Sequence, residues 1–219
     1  MDEELWRKRW AEGRIGFNQG TPNAFLRAYV ERLLAGAQAG GKVLVPLAGK
    51  STDLEFLTGH GCTVTGVELV RDAAAAFFEE RGITPTEGTW QGFDTIAAGG
   101  VRFAIGDFFG LHLPESERFD AAYDRAALIA VRPEERARYV ATLLAALRPG
   151  ARLLLVTFAV EGMDAGGPPY SVTEGDVRGL FADCHLELLE TSDITAEEKR
   201  FTDRGATRVS EQAWMVERA

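Results

Sequence analysis

The sequence predicts an α/β protein built on a doubly wound, mostly parallel sheet. Three observations predict it. Short β-branched apolar runs alternate with amphipathic helical patterns from Lys42 to Phe181, the signature of repeated β-α units. Glycine or an acidic residue closes several of the apolar runs, where ligands bind in such sheets. Two alternating segments, "HLELLE" and "EQAWMVER", end the pattern as an antiparallel pair at one edge.

The elements follow in order. Residues 1–40 read as two helices placed before the first strand. "KVLVPL" (42–47) is strand one, and "STDLEFLTGHG" is helical. "CTVTGVEL" (62–69) is strand two, and "VRDAAAAFFEERG" is a helix stopped by Gly82. Residues 83–100 read as a turn-rich insertion. "VRFAIGD" (101–107) and "FDAAYD" (119–124) are strands three and four. "RPEERARYVATLLAALRPG" places Pro133 near a helix start and Gly150 just past its end. "ARLLLVTFAV" is the fifth and most apolar strand, followed by a short helix near Thr173–Phe181. With the two edge segments this makes a seven-stranded sheet with an antiparallel C-terminal edge strand. The polar stretch 192–210 reads as a mobile surface loop.

Composition narrows the chemistry. The 219 residues suffice for a single domain with a substantial core. With 24 basic against 33 acidic residues the net charge is −9. No basic run offsets it, so a nucleic-acid partner is disfavoured. Cys62 and Cys184 have no metal-like or disulfide spacing and read as buried core thiols. His60, His112 and His185 share no metal spacing either, and no metal site is expected. "MDEELWRKRW" is charged and amphipathic, unlike a signal peptide, and no apolar run approaches bilayer length. A cytoplasmic protein without membrane partners, acting as a monomer, is the expectation.

The turn "LAGKS" (47–51) superficially resembles the end of a phosphate-binding loop. That motif needs a glycine five residues before Gly49, where the chain has Leu44. The G-x-G-x-x-G dinucleotide fingerprint is also missing, which disfavours an NAD-dependent oxidoreductase. A nucleoside site without a phosphate grip fits better. Glu68 ends strand two about 20 residues beyond the Gly49 turn, the spacing of a carboxylate that accepts two ribose hydroxyl hydrogen bonds. Asp107 ends strand three beside Phe108, a pairing suited to adenine's exocyclic amine and ring face. Asp124 and Arg125 end strand four. Each acid alone is equally well read as a solvated strand-end carboxylate; three successive ones point to S-adenosylmethionine, which has ribose and adenine but no phosphates.

The chain resembles the thiopurine S-methyltransferase family, within the class I S-adenosylmethionine-dependent methyltransferases. The resemblance runs collinearly from about Trp6 to Glu217 through "WRKRWAEGRIGFNQG", "VLVPLAGKSTDLEFL", "GCTVTGVEL", "GDFFGL", "FDAAYDRAALIAV", "RARYVATLLAALRPG" and "GGPPYSV". It implies a single Rossmann-like methyltransferase domain, with 1–40 as a helical lid segment and 41–219 as the α/β core. It further implies methyl transfer to the sulfur, selenium or tellurium of a small acceptor, with S-adenosyl-L-homocysteine as product and a detoxification role.

Residue by residue, the resemblance implies that Trp6, Trp10 and Phe17 fold over the cofactor. Leu47 and Gly49 lie under its methionine portion, and Glu68 holds the ribose. Gly106, Asp107 and Phe108 form the adenine side. Arg125, with Asp124 beside it, falls at the catalytic position, where the arginine also meets the cofactor; "GGPPYSV" (166–172) borders the acceptor pocket. Asn18 replaces the family's usual histidine and Ala48 its cysteine. Plainer readings stand beside these. Trp6 and Trp10 also fit the core face of an amphipathic helix, and Arg125 also fits a simple ion pair with Asp124. Rival functions are methylation of a halide, thiocyanate or oxygen acid, and cofactor binding without turnover.

Overall fold

The computed structural model describes residues 3–13, 19–37 and 40–219. Phe17 and Asn18 lie outside the described residues. Two helices, α1 (Glu3–Ala11) and α2 (Ala24–Leu34), precede the first strand. Asn23 starts α2 by accepting hydrogen bonds from the amides of Phe25 at 3.0 Å and Leu26 at 3.4 Å, a side-chain N-cap. Asp53 anchors that cap to the sheet: one carboxylate oxygen accepts the Asn23 amide at 2.7 Å, the other the Tyr123 hydroxyl at 3.1 Å.

The β-α repeat follows as β1 (Lys42–Pro46), α3 (Asp53–Gly59), β2 (Thr63–Glu68) and α4 (Arg71–Glu79). Then come β3 (Thr86–Trp90), β4 (Phe93–Ala98), β5 (Val101–Ile105), β6 (Phe119–Arg125), α5 (Arg136–Ala145) and β7 (Leu147–Glu161). The chain finishes through α6 (Glu174–Leu180), β8 (His185–Asp193), α7 (Lys199–Thr202) and β9 (Arg208–Glu217). All the strands join one sheet in the order β3-β4-β5-β2-β1-β6-β7-β9-β8. The pairs β5-β2, β2-β1, β1-β6 and β6-β7 are parallel; β3-β4, β4-β5, β7-β9 and β9-β8 are antiparallel. Strand order reverses between β1 and β6, which opens the crevice where such sheets bind ligands.

Helices cover both faces. On one, α5 and α6 bring Tyr139, Leu143 and Val177 against Leu44, Ala122, Leu155 and Trp214. On the other, α2, α3 and α4 bring Leu26, Leu54 and Phe77 against Val43, Val64, Tyr123 and Leu154. The central strands are apolar on both sides because both sides are buried.

The fold departs from expectation in three places. The sheet has nine strands, not seven. The two extra strands are the 83–100 insertion, an antiparallel hairpin that turns at Gln91 (φ 51°) and Gly92 (φ 84°). Both residues are left-handed, the geometry of a two-residue hairpin turn. At the other end β8 and β9 form the expected antiparallel pair, with β8 as the edge strand. Helix α5 is capped at Ala146, and Gly150 lies inside the following strand, where its amide bonds the Arg218 carbonyl at 2.9 Å. The stretch 192–210 carries α7 and the start of β9, and it buries Phe201, Ala206 and Val209 against Phe158 and Val160. Of the two cysteines, Cys62 is buried and Cys184 only half-buried.

Candidate active site

Beyond the carboxyl ends of β1, β2, β6 and β7 lies a cavity of about 730 Å³. Its floor is Leu47 and Gly49 after β1, Glu68 and Leu69 at β2, and Arg125 and Ala126 at β6. Three of these hold left-handed backbone: Leu47 at φ 49°, Gly49 at φ 56° and Ala126 at φ 63°. Leu and Ala adopt that region at a cost of about 1–2 kcal/mol each. Such strain concentrates at binding sites, where the surrounding structure over-determines the backbone.

Glu68 explains the turn. One carboxylate oxygen accepts the Gly49 amide and the other the Val70 amide, both at 2.8 Å. The side chain is only 6 % exposed. Burial pushes its pKa up, and the amides of Val70, Gly49 and Leu69 pull it back. A carboxylate offers about four lone-pair sites, so two remain for hydroxyl donors in the cavity. Behind the turn, a Cβ on Gly66 would sit 2.8 Å from the Ala48 Cβ. Glycine there lets β1's turn pack close to β2, and Ala48 is buried under the sheet. Lys50 is ion-paired with Glu80, so the lysine of "GKS" is committed elsewhere.

The roof is α1, through Trp6, Arg9 and Trp10, joined by Gln19. Arg9 donates to the Pro168 carbonyl at 3.2 Å and so links α1 to the 166–172 loop, whose Pro168 and Pro169 also line the cavity. The lining is completed by Ile129, Val156, Thr157 and Phe158, with Glu197, Glu198, Lys199 and Arg200 from around α7 and Glu211 from β9.

The expected site residues fall into two groups. Trp6, Trp10, Leu47, Gly49, Glu68 and Arg125 converge on the cavity. Asp124, Gly106, Asp107 and Phe108 are not among its lining residues. Successive strand residues face opposite ways, so Asp124 turns away from Arg125 towards α5. It has no exposure; its oxygens accept the Tyr139 hydroxyl at 2.7 Å and the Leu128 amide at 3.0 Å. Burial, only partly offset by those donors, raises its pKa to about 6. Asp124 therefore buttresses the β6 turn and does not line the cavity. The Phe108 ring, expected to pack on a base, is 1 % exposed and lies 5.0 Å from the Tyr139 ring. Asp107 is exposed at the end of β5 and accepts the Phe109 amide at 3.1 Å. The Gly106 amide bonds the Glu68 carbonyl at 2.9 Å.

Sequence reasoning missed Thr157, the residues around α7, and Glu211. Thr157 had a signal, a lone hydroxyl inside the apolar run "LLLVTFAV". The buried Thr157 hydroxyl makes no hydrogen bond among the described residues. His60 bonds the Phe56 carbonyl through Nδ1 at 2.8 Å at the end of α3 and plays no part in the cavity. Among the described residues no group of three His, Cys, Asp or Glu side chains is placed to hold a metal. No helix among them is long and apolar enough to cross a membrane.

Comparison with known proteins decides what this architecture belongs to. Residues 1–219 match the thiopurine S-methyltransferase family. The chain is 40 % identical over 219 residues, all of both chains, to a thiopurine S-methyltransferase of Azotobacter vinelandii. It has the same identity and coverage with one of Pseudomonas putida. The chain belongs to the thiopurine S-methyltransferase family. It is an S-adenosylmethionine-dependent methyltransferase. In fold it is similar to a Burkholderia thailandensis 1,6-didemethyltoxoflavin-N1-methyltransferase solved with S-adenosylhomocysteine (TM-score 0.63, 20 % identity, 99 % of this chain and 87 % of that one). It is also similar to TehB of Haemophilus influenzae (TM-score 0.64, 10 % identity, 92 % of this chain and 64 % of that one). The cavity suits this family's cofactor: a glycine turn without a phosphate grip, a buried carboxylate with spare acceptor sites, and two tryptophans opposite.

Proposed function

We propose that the protein methylates the sulfur, or the selenium or tellurium, of a small-molecule acceptor, as a monomeric cytoplasmic enzyme of detoxification. Glu68 holds the ribose of the cofactor, the Leu47–Gly49 turn supports its methionine portion, Asp107 and the Gly106–Phe108 backbone border its adenine, and Trp6 and Trp10 close over it. When bound, the cofactor supplies an electrophilic methyl group on a sulfonium sulfur. The chain's own work is positioning and exclusion of water. Arg125 binds the anionic acceptor sulfur, and Phe158, Ile129, Pro168 and Pro169 press on its apolar body.

The observation that carries this reading is one cavity lined both by Glu68 and Gly49 and by Arg125, Lys199 and Arg200. A soft anionic nucleophile is matched by cations set among apolar side chains. The test is an acceptor panel of aryl thiols, heterocyclic thiols, alkyl thiols, selenite, tellurite and halides, scored for methylated product. Transfer to sulfur or its heavier congeners is expected. Exclusive methylation of halide or of an oxygen acid would sink the assignment.

A further inference from the structure

Glu211 sits in the cavity with no assigned role. It lies on β9 opposite Phe158 of β7 and Ser192 of β8. Strand alternation puts it on the same sheet face as Val156 and Arg125, because β6 pairs Arg125 with Val156 and β7 pairs Val156 with Ala213. Arg125 and Glu211 thus rise from one face of the sheet, two strands apart, and they interact electrostatically. Glu211 is half-buried, and its carboxylate makes no hydrogen bond or ion pair among the described residues. Other charged groups turned to this space are Glu197, Glu198, Lys199 and Arg200 around α7, and Arg9 on α1.

The other acids of the cavity are engaged or remote. Glu68 is held by two backbone amides. Glu198 is bonded to Arg200 at 2.7 Å, and Glu197 is exposed. No histidine is among the described residues that line the cavity. We propose that Glu211 is the catalytic proton acceptor of this site: it takes the S–H or ring N–H proton of an acceptor that enters neutral, and Arg125 on the same face of the sheet holds the anion that results. This rests on the sulfur-acceptor reading above. In the step, the acceptor's S–H or N–H bond breaks and its proton goes to a Glu211 carboxylate oxygen. The electron pair stays on the acceptor as a thiolate, and Glu211 later releases the proton to water. Burial pushes the Glu211 pKa up, Arg125 pulls it down and Glu198 raises it again, for a net rise. A carboxylate moved towards neutrality is the better base near neutral pH.

Two acceptors separate this role from a structural one. One is a heterocyclic thione carrying a ring N–H; the other is para-nitrobenzenethiol, already ionised at neutral pH. In Glu211→Gln, kcat/KM should fall about 100-fold for the thione and by less than about threefold for the nitrothiol, the scale of a lost general base. Glu211→Asp should recover part of the thione activity. The thione's ultraviolet spectrum gives a readout without turnover: bound to the wild-type protein with S-adenosylhomocysteine, it should be that of the anion at a pH where free thione is neutral. In Glu211→Gln it should stay neutral. Equal losses on both acceptors, no loss on either, or a neutral spectrum on the wild-type protein each overturn the proposal. If the wild-type protein methylates neither acceptor, the sulfur-acceptor reading fails, and the spectrum still decides Glu211.

Discussion

Replacing Glu68 by alanine tests the cofactor end of the cavity, and the structure sets the size of the effect. The carboxylate does two jobs at once. It satisfies the Gly49 and Val70 amides, each at 2.8 Å, and on the function proposed above it keeps acceptor sites for the ribose. Truncation strands both amides, at about 1–3 kcal/mol each when buried. The cavity is open enough for water to reach them, so the lower end applies, about 2 kcal/mol in total. For a chain of this size that lowers Tm by about 4–8 °C. Two charge-assisted hydrogen bonds to the ribose go as well, about 2–3 kcal/mol, or about 30–150-fold in Kd. Glu68→Gln is no gentle control: its carboxamide oxygen satisfies one amide, but its NH2 group meets the other N–H head-on. Both variants should therefore melt lower, and both should bind S-adenosylhomocysteine more weakly by calorimetry. A folded Glu68→Ala protein with unchanged affinity would refute the reasoning and remove Glu68 from the ribose site.

Other expectations concern separate parts of the molecule. Arg125→Lys keeps the charge but loses the planar fork; transfer to an anionic thiol should fall more than tenfold, the order of one lost charge-assisted contact, with Tm nearly unchanged, and a normal rate in a destabilised protein would take Arg125 off the site. Asp124 is fully buried, and its pKa rises from 3.8 unfolded to about 6 folded. A raised acid stabilises the fold fully below its unfolded pKa and loses that contribution as pH rises through the folded value. Wild-type stability relative to Asp124→Asn should thus improve by about 1.3 kcal/mol between pH 7 and pH 5; denaturant titrations with parallel pH trends would contradict it. Trp6 and Trp10 line the cavity, so cofactor binding should change tryptophan fluorescence, and the double substitution to phenylalanine should abolish most of the change while Trp90 and Trp214 remain. Asn23→Ala should cost about 1 kcal/mol through loss of the α2 cap, read as a lower Tm with unaltered cofactor affinity.

Much of this architecture was legible in the residues. The central strands announce themselves because a strand buried on both faces needs an unbroken β-branched run, as in "KVLVP" and "LLLVTF". Glu68 was reachable because the β-α unit fixes the distance between a turn and the next strand end. The β3-β4 hairpin was not, since its outer strand "TEGTW" is almost wholly exposed and lacks an apolar face. Gln91-Gly92 is also a less recognisable turn pair than Asn-Gly. Asp124 was misassigned although the period-two rule already separates it from Arg125. Glu211 was hidden for another reason: what brings it to the cavity is the pairing of β9 with β7, a contact distant in sequence.

The way the cavity walls are distributed along the chain bears on descent. The Glu68 end comes from the first third of the sequence, folded around Leu47 and Gly49, while Phe158, Lys199, Arg200 and Glu211 all come from the last third. Only Arg125 and its neighbours stand between. On the function proposed above, a lineage can exchange its acceptor by editing residues 158–211 and leave the Glu68 end untouched. A laboratory can do the same, grafting that stretch from one relative onto another with the join placed inside the paired strands β7 and β9.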